Sequence, residues 1–108
     1  MRPAKYDLEI WKGAYSTLVF EVYNDDGTPM DLTGFSFNIQ FRDCPECDLI
    51  NEQSGTISDT NKVSFEFSEA TTGKFETDTR YEIEMVTPDN KHIPFIYGNV
   101  IVKNRIYK

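Results

Sequence analysis

The chemistry this sequence could support starts at Cys44-Pro45-Glu46-Cys47. Two thiolates at this spacing can occupy one edge of a tetrahedral zinc site, because a short turn brings both sulfurs together. A complete site needs four ligands, and the chain holds only two Cys and one His. His92 would have to be a third ligand and an acid a fourth, or two copies would have to share a site with one pair each. A redox role would want the pair to open a helix in a βαβ context, and the patterning described below is that of strands. Two Cys also do not make the disulfide framework of a small secreted domain. The expectation is a plain loop with free thiols and no bound metal, Cys44 and Cys47 being the residues around which a site would have to form. No cofactor is expected.

His92 is the only histidine, so a Ser-His-Asp or Cys-His enzyme would have to use it. It stands beside a turn, outside any Gly-x-Ser-x-Gly context, where a lone imidazole is ordinarily solvated. Glu82 and Glu84 project from the same side of one strand, as a glycosidase pair would, but that side is the wet one. The stretch Asn24-Asp25-Asp26-Gly27 resembles the start of a calcium loop and lacks the further ligands and the closing Glu. It reads as turn chemistry. These residues lead to the expectation that the chain is not an enzyme.

The elements that carry these residues follow a period of two. In 35–42, Phe35, Phe37, Ile39 and Phe41 alternate with Ser36, Asn38, Gln40 and Arg42. The same rule sets Leu18, Phe20 and Val22 on one side of 16–23. It sets Val63, Phe65 and Phe67 against Ser64, Glu66 and Ser68, and Tyr81, Ile83 and Met85 against Glu82 and Glu84. Successive strand side chains point to opposite faces, so each run is a strand with one buried and one wet face. Antiparallel sheets suit that pattern. Turn residues separate the runs at Asn24-Asp25-Asp26-Gly27-Thr28-Pro29, Asp31-Leu32-Thr33-Gly34, Ser54-Gly55 and Thr87-Pro88-Asp89-Asn90. Residues 68–70 could make one helical turn, and no amphipathic helix of three turns is present. In 92–102, Ile93, Phe95 and Tyr97 share one parity and Val100 and Val102 the other, which predicts a β-bulge at Gly98-Asn99. Pro94 lacks an N–H, which puts that part of the strand on a sheet edge.

Seven or eight short strands at this spacing predict an all-β, antiparallel sandwich with no substantial helix, a small barrel being the alternative. The core expected is Leu18, Phe20, Val22, Phe35, Phe37, Ile39, Phe41, Val63, Phe65, Phe67, Tyr81, Ile83, Met85, Val100 and Val102. Trp11 is expected to cap it. At 108 residues the chain is one domain, with 1–5 and 104–108 as extended arms.

The formal net charge is −7 and the pI near 4.6. A net negative protein repels phosphate backbones and anionic membranes, so neither nucleic acid nor membrane is expected as a partner. Mean hydropathy is −0.50, and no apolar run approaches the ~18 residues of a membrane helix. No apolar segment follows the basic N-terminus, so a signal peptide is not expected. The charge is unevenly spread. Residues 91–108 contain no acid and carry Lys91, Lys103, Arg105 and Lys108. One reading is a C-terminal strand that merely happens to be basic. The other is a positive end that meets an acidic neighbour, in which case added salt weakens self-association. Tyr15, Tyr23, Tyr97 and Tyr107 fall outside the core parity and suit either an interface or an ordinary surface.

The order of breaks and strands resembles a known group. An apolar strand ends near Trp11-Lys12-Gly13 and Leu18-Val19-Phe20 follows. Next comes Asp26-Gly27-Thr28-Pro29-Met30-Asp31-Leu32-Thr33-Gly34-Phe35, then Gly73-Lys74-Phe75 and Tyr81-Glu82-Ile83-Glu84-Met85. The hairpin Pro88-Asp89-Asn90-Lys91 and Gly98-Asn99-Val100-Ile101-Val102 close the series. This looks like the small Ig-like β-sandwich proteins of tailed bacteriophages and prophages, among them the N-terminal domain of baseplate upper proteins. There an Asp-Gly-x-Pro-x-Asp-Leu-Thr-Gly-aromatic stretch enters a central strand. The resemblance covers about residues 7–103. The Cys44–Cys47 loop is not part of that pattern, and Asn90 stands where such proteins often have Gly.

The resemblance implies an Ig-like sandwich and a virion structural or assembly role in tail, baseplate or capsid, assembled in the host bacterial cytoplasm, with no catalytic residues. The expected partners are other phage structural proteins and further copies of the chain, through surface complementarity and strand addition at unpaired edges. Lys103, Arg105, Ile106, Tyr107 and Lys108 are the segment expected to reach a partner. The alternative is a carbohydrate- or receptor-binding module, which a row of exposed Trp or Tyr on one face would favour.

Overall fold

The computed structural model describes residues 4–106 and folds them into two packed sheets. The strands are β1 (Ala4–Lys5), β2 (Leu8–Trp11), β3 (Ser16–Glu21), β4 (Ser36–Arg42), β5 (Leu49–Ser54), β6 (Thr56–Ser58), β7 (Lys62–Phe67), β8 (Arg80–Val86) and β9 (His92–Lys103). The larger sheet runs β1-β9-β8-β4-β5, with β2 also on β9, and the smaller runs β3-β7-β6. Taking β3, β7 and β6 as strands B, E and D, and β9, β8, β4 and β5 as G, F, C and C′, this is the order of an Ig-like sandwich. The only described helix is the turn α1 (Glu69–Thr72), where the Ser68 hydroxyl accepts from the Thr71 N–H at 3.2 Å.

The alternation places the core as expected for β4, β7 and β8: Phe37, Ile39, Phe41, Val63, Phe65, Phe67, Tyr81, Ile83 and Met85 are buried. Phe20 of β3, Phe37 of β4 and Phe95 of β9 form one aromatic knot, with centroids 5.5–5.9 Å apart for the pairs that include Phe37. Phe41 joins Phe67 at 5.4 Å and Phe75 at 4.4 Å in a second knot. The fully buried rings of Phe37, Phe41, Phe67 and Phe75 each contribute ~1.5–3 kcal/mol. Leu18, Phe20, Phe35 and Val102 are only partly buried. Leu8, Ile10, Leu32 and Phe75 complete the core in positions the alternation does not flag, because each sits in a very short strand or in a loop.

Four expectations need correction. First, the sheets are not wholly antiparallel: β1 and β2 run parallel to β9. Period-two patterning fixes which face is buried and is silent on direction, and no local turn joins the first strand to the last. Second, the irregularity in β9 lies at Phe95, not at Gly98-Asn99. Opposite β8, Ile83 pairs with Ile96 and Glu84 with Pro94, so Phe95 is the extra residue. Beyond it Tyr97 points outward while Gly98 and Val100 are buried. Third, Trp11 does not cap the core; it is 50% exposed on the outer side of β2. Fourth, the thiols are not free, as described below. Among the described residues Pro94 is paired on the β8 side, opposite Glu84, and the described pairing of β1 begins at Ile96.

Gly55 is where the chain crosses from one sheet to the other. Its N–H donates to the Phe37 carbonyl at 2.8 Å, and a Cβ there would stand 3.0 Å from side-chain carbons of both Val63 and Phe65.

Candidate interaction surface

Positive charge and exposed apolar surface meet where β2 and β9 end. Trp11 and Lys103 are register partners on the parallel ladder, and the Lys12 N–H donates to the Lys103 carbonyl at 2.8 Å. Ile101 is exposed two register steps back along β9, next to Glu9. The chain then leaves the sheet: Arg105 is exposed and Ile106 is 99% exposed. Lys12 is drawn aside by Glu76, Nζ to Oε1 2.9 Å. So Lys103 of the expected partner segment stands in register with Trp11, and the exposed Arg105 and Ile106 follow it in the chain. Tyr107 and Lys108 lie outside the described residues.

The outer face of the larger sheet carries a shallow concavity of about 480 Å³ between the N-terminal strand and the Cys loop. Lys5, Tyr97, Glu82 and Gln40 line it in successive register, and Arg42 and Arg80 are direct cross-strand partners beside them. Like charges opposite each other are unfavourable. Arg42 is held in place: its Nη1 donates to the Cys47 carbonyl at 2.6 Å and its Nε to Gln40 Oε1 at 3.4 Å. This face can offer hydrogen bonds to an acidic group. Strand alternation sends Arg42 and Arg80 outward, but their juxtaposition depends on register, which no local pattern encodes.

Cys44 and Cys47 are joined as a disulfide. The Cys47 N–H donates to the Cys44 carbonyl at 3.0 Å, and this turn brings the two Cα atoms to 5.0 Å, inside the range a disulfide spans. That corrects the expected free thiols, and in this state the sulfurs are not available as thiolate ligands. Among the described residues no three of His, Cys, Asp and Glu are grouped as a metal would need.

The remaining candidates are used locally. His92 opens β9, with Nδ1 2.8 Å from Glu84 Oε1, while Glu82 faces solvent. Asp26 accepts from the Thr28 N–H at 3.0 Å and the Thr28 hydroxyl at 2.6 Å. The Thr28 hydroxyl holds its carboxyl below the usual carboxylate range. Burial pushes the Tyr81 phenol above its ordinary value, and that hydroxyl donates to the Tyr6 carbonyl. Among the described residues the exposed aromatics do not form one row. Tyr15 and Tyr23 flank β3 at its two ends, Tyr6 lies in the break between β1 and β2, and Trp11 and Tyr97 are six register steps apart along β9. The sequence matches no protein-family model, and no curated protein is similar enough to it to count as a relative.

Proposed function

We propose that this chain is a structural or assembly protein of a bacteriophage particle, an adaptor or decoration that acts by docking onto tail, baseplate or capsid proteins after synthesis in a bacterial cytoplasm. The observation that carries the docking is the end of the β2–β9 ladder. Exposed Trp11 and Ile101 lie there on the ladder with Lys103, and Arg105 and the exposed Ile106 follow in the chain, in a protein of net charge −7. Aromatic anchors next to a basic rim suit a partner surface that is apolar at its centre and acidic around it.

The particle itself is inferred from the resemblance of the Asp26–Phe35 stretch. Its residues are turn formers here: Asp26 and Asp31 each accept from the Thr two residues on, Leu32 is buried, and Gly27 and Gly34 take φ of +86° and +82°.

The test is deletion of residues 104–108 with Trp11→Ala as a second variant. Trp11 and residues 104–106 are exposed, so the thermal unfolding midpoint is expected to hold. Incorporation into particles is expected to fall, and added salt is expected to weaken docking. Normal incorporation of both variants would overturn the assignment of this surface. Failure of the intact protein to co-purify with particles would overturn the particle itself.

A further inference from the structure

The two sheets present four lateral edges among the described residues, and three are blunted. The β1–β2 edge is interrupted at Tyr6-Asp7, where the Asp7 carboxylate rather than backbone accepts from the Asn99 N–H at 3.0 Å. The β5 edge is bent at Ile50, the extra residue where Phe41 pairs with Asn51 and Arg42 with Leu49. The β6 edge is three residues long. These are the devices by which sheet proteins avoid unwanted pairing. The fourth edge, β3, has none of them. Ser16–Glu21 pairs with β7 without a register shift, contains no Pro, Gly or Lys, and exposes Val19 at 52%.

The free hydrogen-bonding groups of β3 can be assigned. The Val22 N–H donates to the Asn61 carbonyl at 2.9 Å, toward β7. Antiparallel ladders alternate, so Phe20, Leu18 and Ser16 also bond toward β7, while Thr17, Val19 and Glu21 aim their N–H and C=O away from it.

We propose that β3 is a homodimerisation edge, pairing antiparallel with β3 of a second copy about a two-fold axis at Val19. Opposed residues in such a pair must lie on the same face. With Val19 opposite Val19, Thr17 meets Glu21, and the flanking Tyr15 meets Tyr23. The outward-aimed groups then fall into hydrogen-bonded pairs, each exchanging both N–H···O bonds. On the inner side Leu18 meets Phe20. No like charges are directly opposed: Glu21 has Lys62 of its own chain on one side and the other copy's Thr17 on the other. This self-complementarity is what favours a second copy over a foreign strand, and two three-stranded sheets become one of six.

The inference deepens the proposed function by naming a partner and rests on it only for its place in a particle. The pairing is measured on purified protein, so its failure would leave docking through the Trp11–Lys103 end standing, and loss of that docking would leave the pairing standing.

The experiment combines sedimentation of the full chain over a concentration series with cysteine trapping. A monomer–dimer equilibrium little affected by salt is expected. Val19→Lys, on the outer face, should weaken it ~10-fold or more by opposing two ammonium groups, with the unfolding midpoint unchanged. Val19→Cys should oxidise to a covalent dimer, since paired Cα atoms of this type lie ~5.5 Å apart. Ser64→Cys should not, being separated from its counterpart by three strand spacings of ~4.8 Å each. A monomer at every concentration, a dimer indifferent to Val19→Lys, or equal trapping at Ser64 would each overturn the proposal.

Discussion

Gly98 and Tyr6 approach so closely that a Cβ on Gly98 would stand 2.2 Å from the Tyr6 carbonyl oxygen. The obstacle is backbone, so nothing flexible can yield. Glycine is required here for approach rather than for its backbone angles. The same carbonyl accepts the buried Tyr81 hydroxyl, the Tyr6 N–H donates to the Tyr97 carbonyl at 2.8 Å, and Asp7 caps the Asn99 N–H. Gly98→Ala is therefore expected to lift the β1–β2 junction away from β9 and strand the Tyr81 phenol. The expected loss is ~2–4 kcal/mol, measured by urea unfolding. A loss below ~0.5 kcal/mol, within the range of ordinary surface substitutions, would contradict it.

The sheet residues that touch each other were legible where one signal sufficed. Phe37, Ile39 and Phe41 could be placed inside from their spacing alone, because side-chain direction in a strand is a local property. Leu32 and Phe75 could not. Each is an apolar residue in a loop with polar neighbours on both sides, and its burial depends on which loop folds over which end of the sandwich. Gly98 stands next to the parity change in 92–102 for a different reason. The change does require an extra residue, yet the bulge is at Phe95 and the glycine answers Tyr6, ninety-two positions away in the chain. The basic end was visible as composition, but its partnership with Trp11 depends on the parallel pairing of the first and last strands. The free β3 edge has the same origin, since it exists because the N-terminal strand lies on β9.

Thr60 sits in the β6–β7 hairpin at φ +70°, where its carbonyl accepts from the Leu32 N–H at 3.0 Å. A β-branched residue in that region is strained, while Asn tolerates it. The side chain is exposed, so little packing is at stake. Thr60→Asn is expected to stabilise the fold by ~0.5–1 kcal/mol, seen as a higher midpoint in urea with an unchanged slope. A lower midpoint would show that the hydroxyl contributes more than the backbone strain costs.

The Cys44–Cys47 disulfide closes a loop of sequence separation three. Loop-closure entropy for so short a ring is ~2 kcal/mol, and Arg42 also binds the Cys47 carbonyl. Replacing both Cys by Ser is expected to cost no more than that ~2 kcal/mol and to leave the protein folded, with the far-UV spectrum of a β-protein retained. Thiol titration of the native protein under non-reducing conditions should find no free thiol. Two reactive thiols per chain would refute the closed loop.

Three exposed turns contribute to the response to acid. Hydroxyl hydrogen bonds from Thr28, Thr33 and Thr87 hold the carboxyls of Asp26, Asp31 and Asp89 below their ordinary range. A carboxyl depressed in the folded state binds fewer protons there than when unfolded. Its contribution is therefore present above the unfolded value of ~3.9 and disappears as pH falls through the lower folded values. Urea midpoints should hold from pH 7 to ~5 and then decline. Replacing the three aspartates together by Asn keeps an acceptor for each turn and removes the titration, so the decline below pH ~4 should become shallower. A slope identical to that of the unaltered chain would show that these turns form without help from the charge.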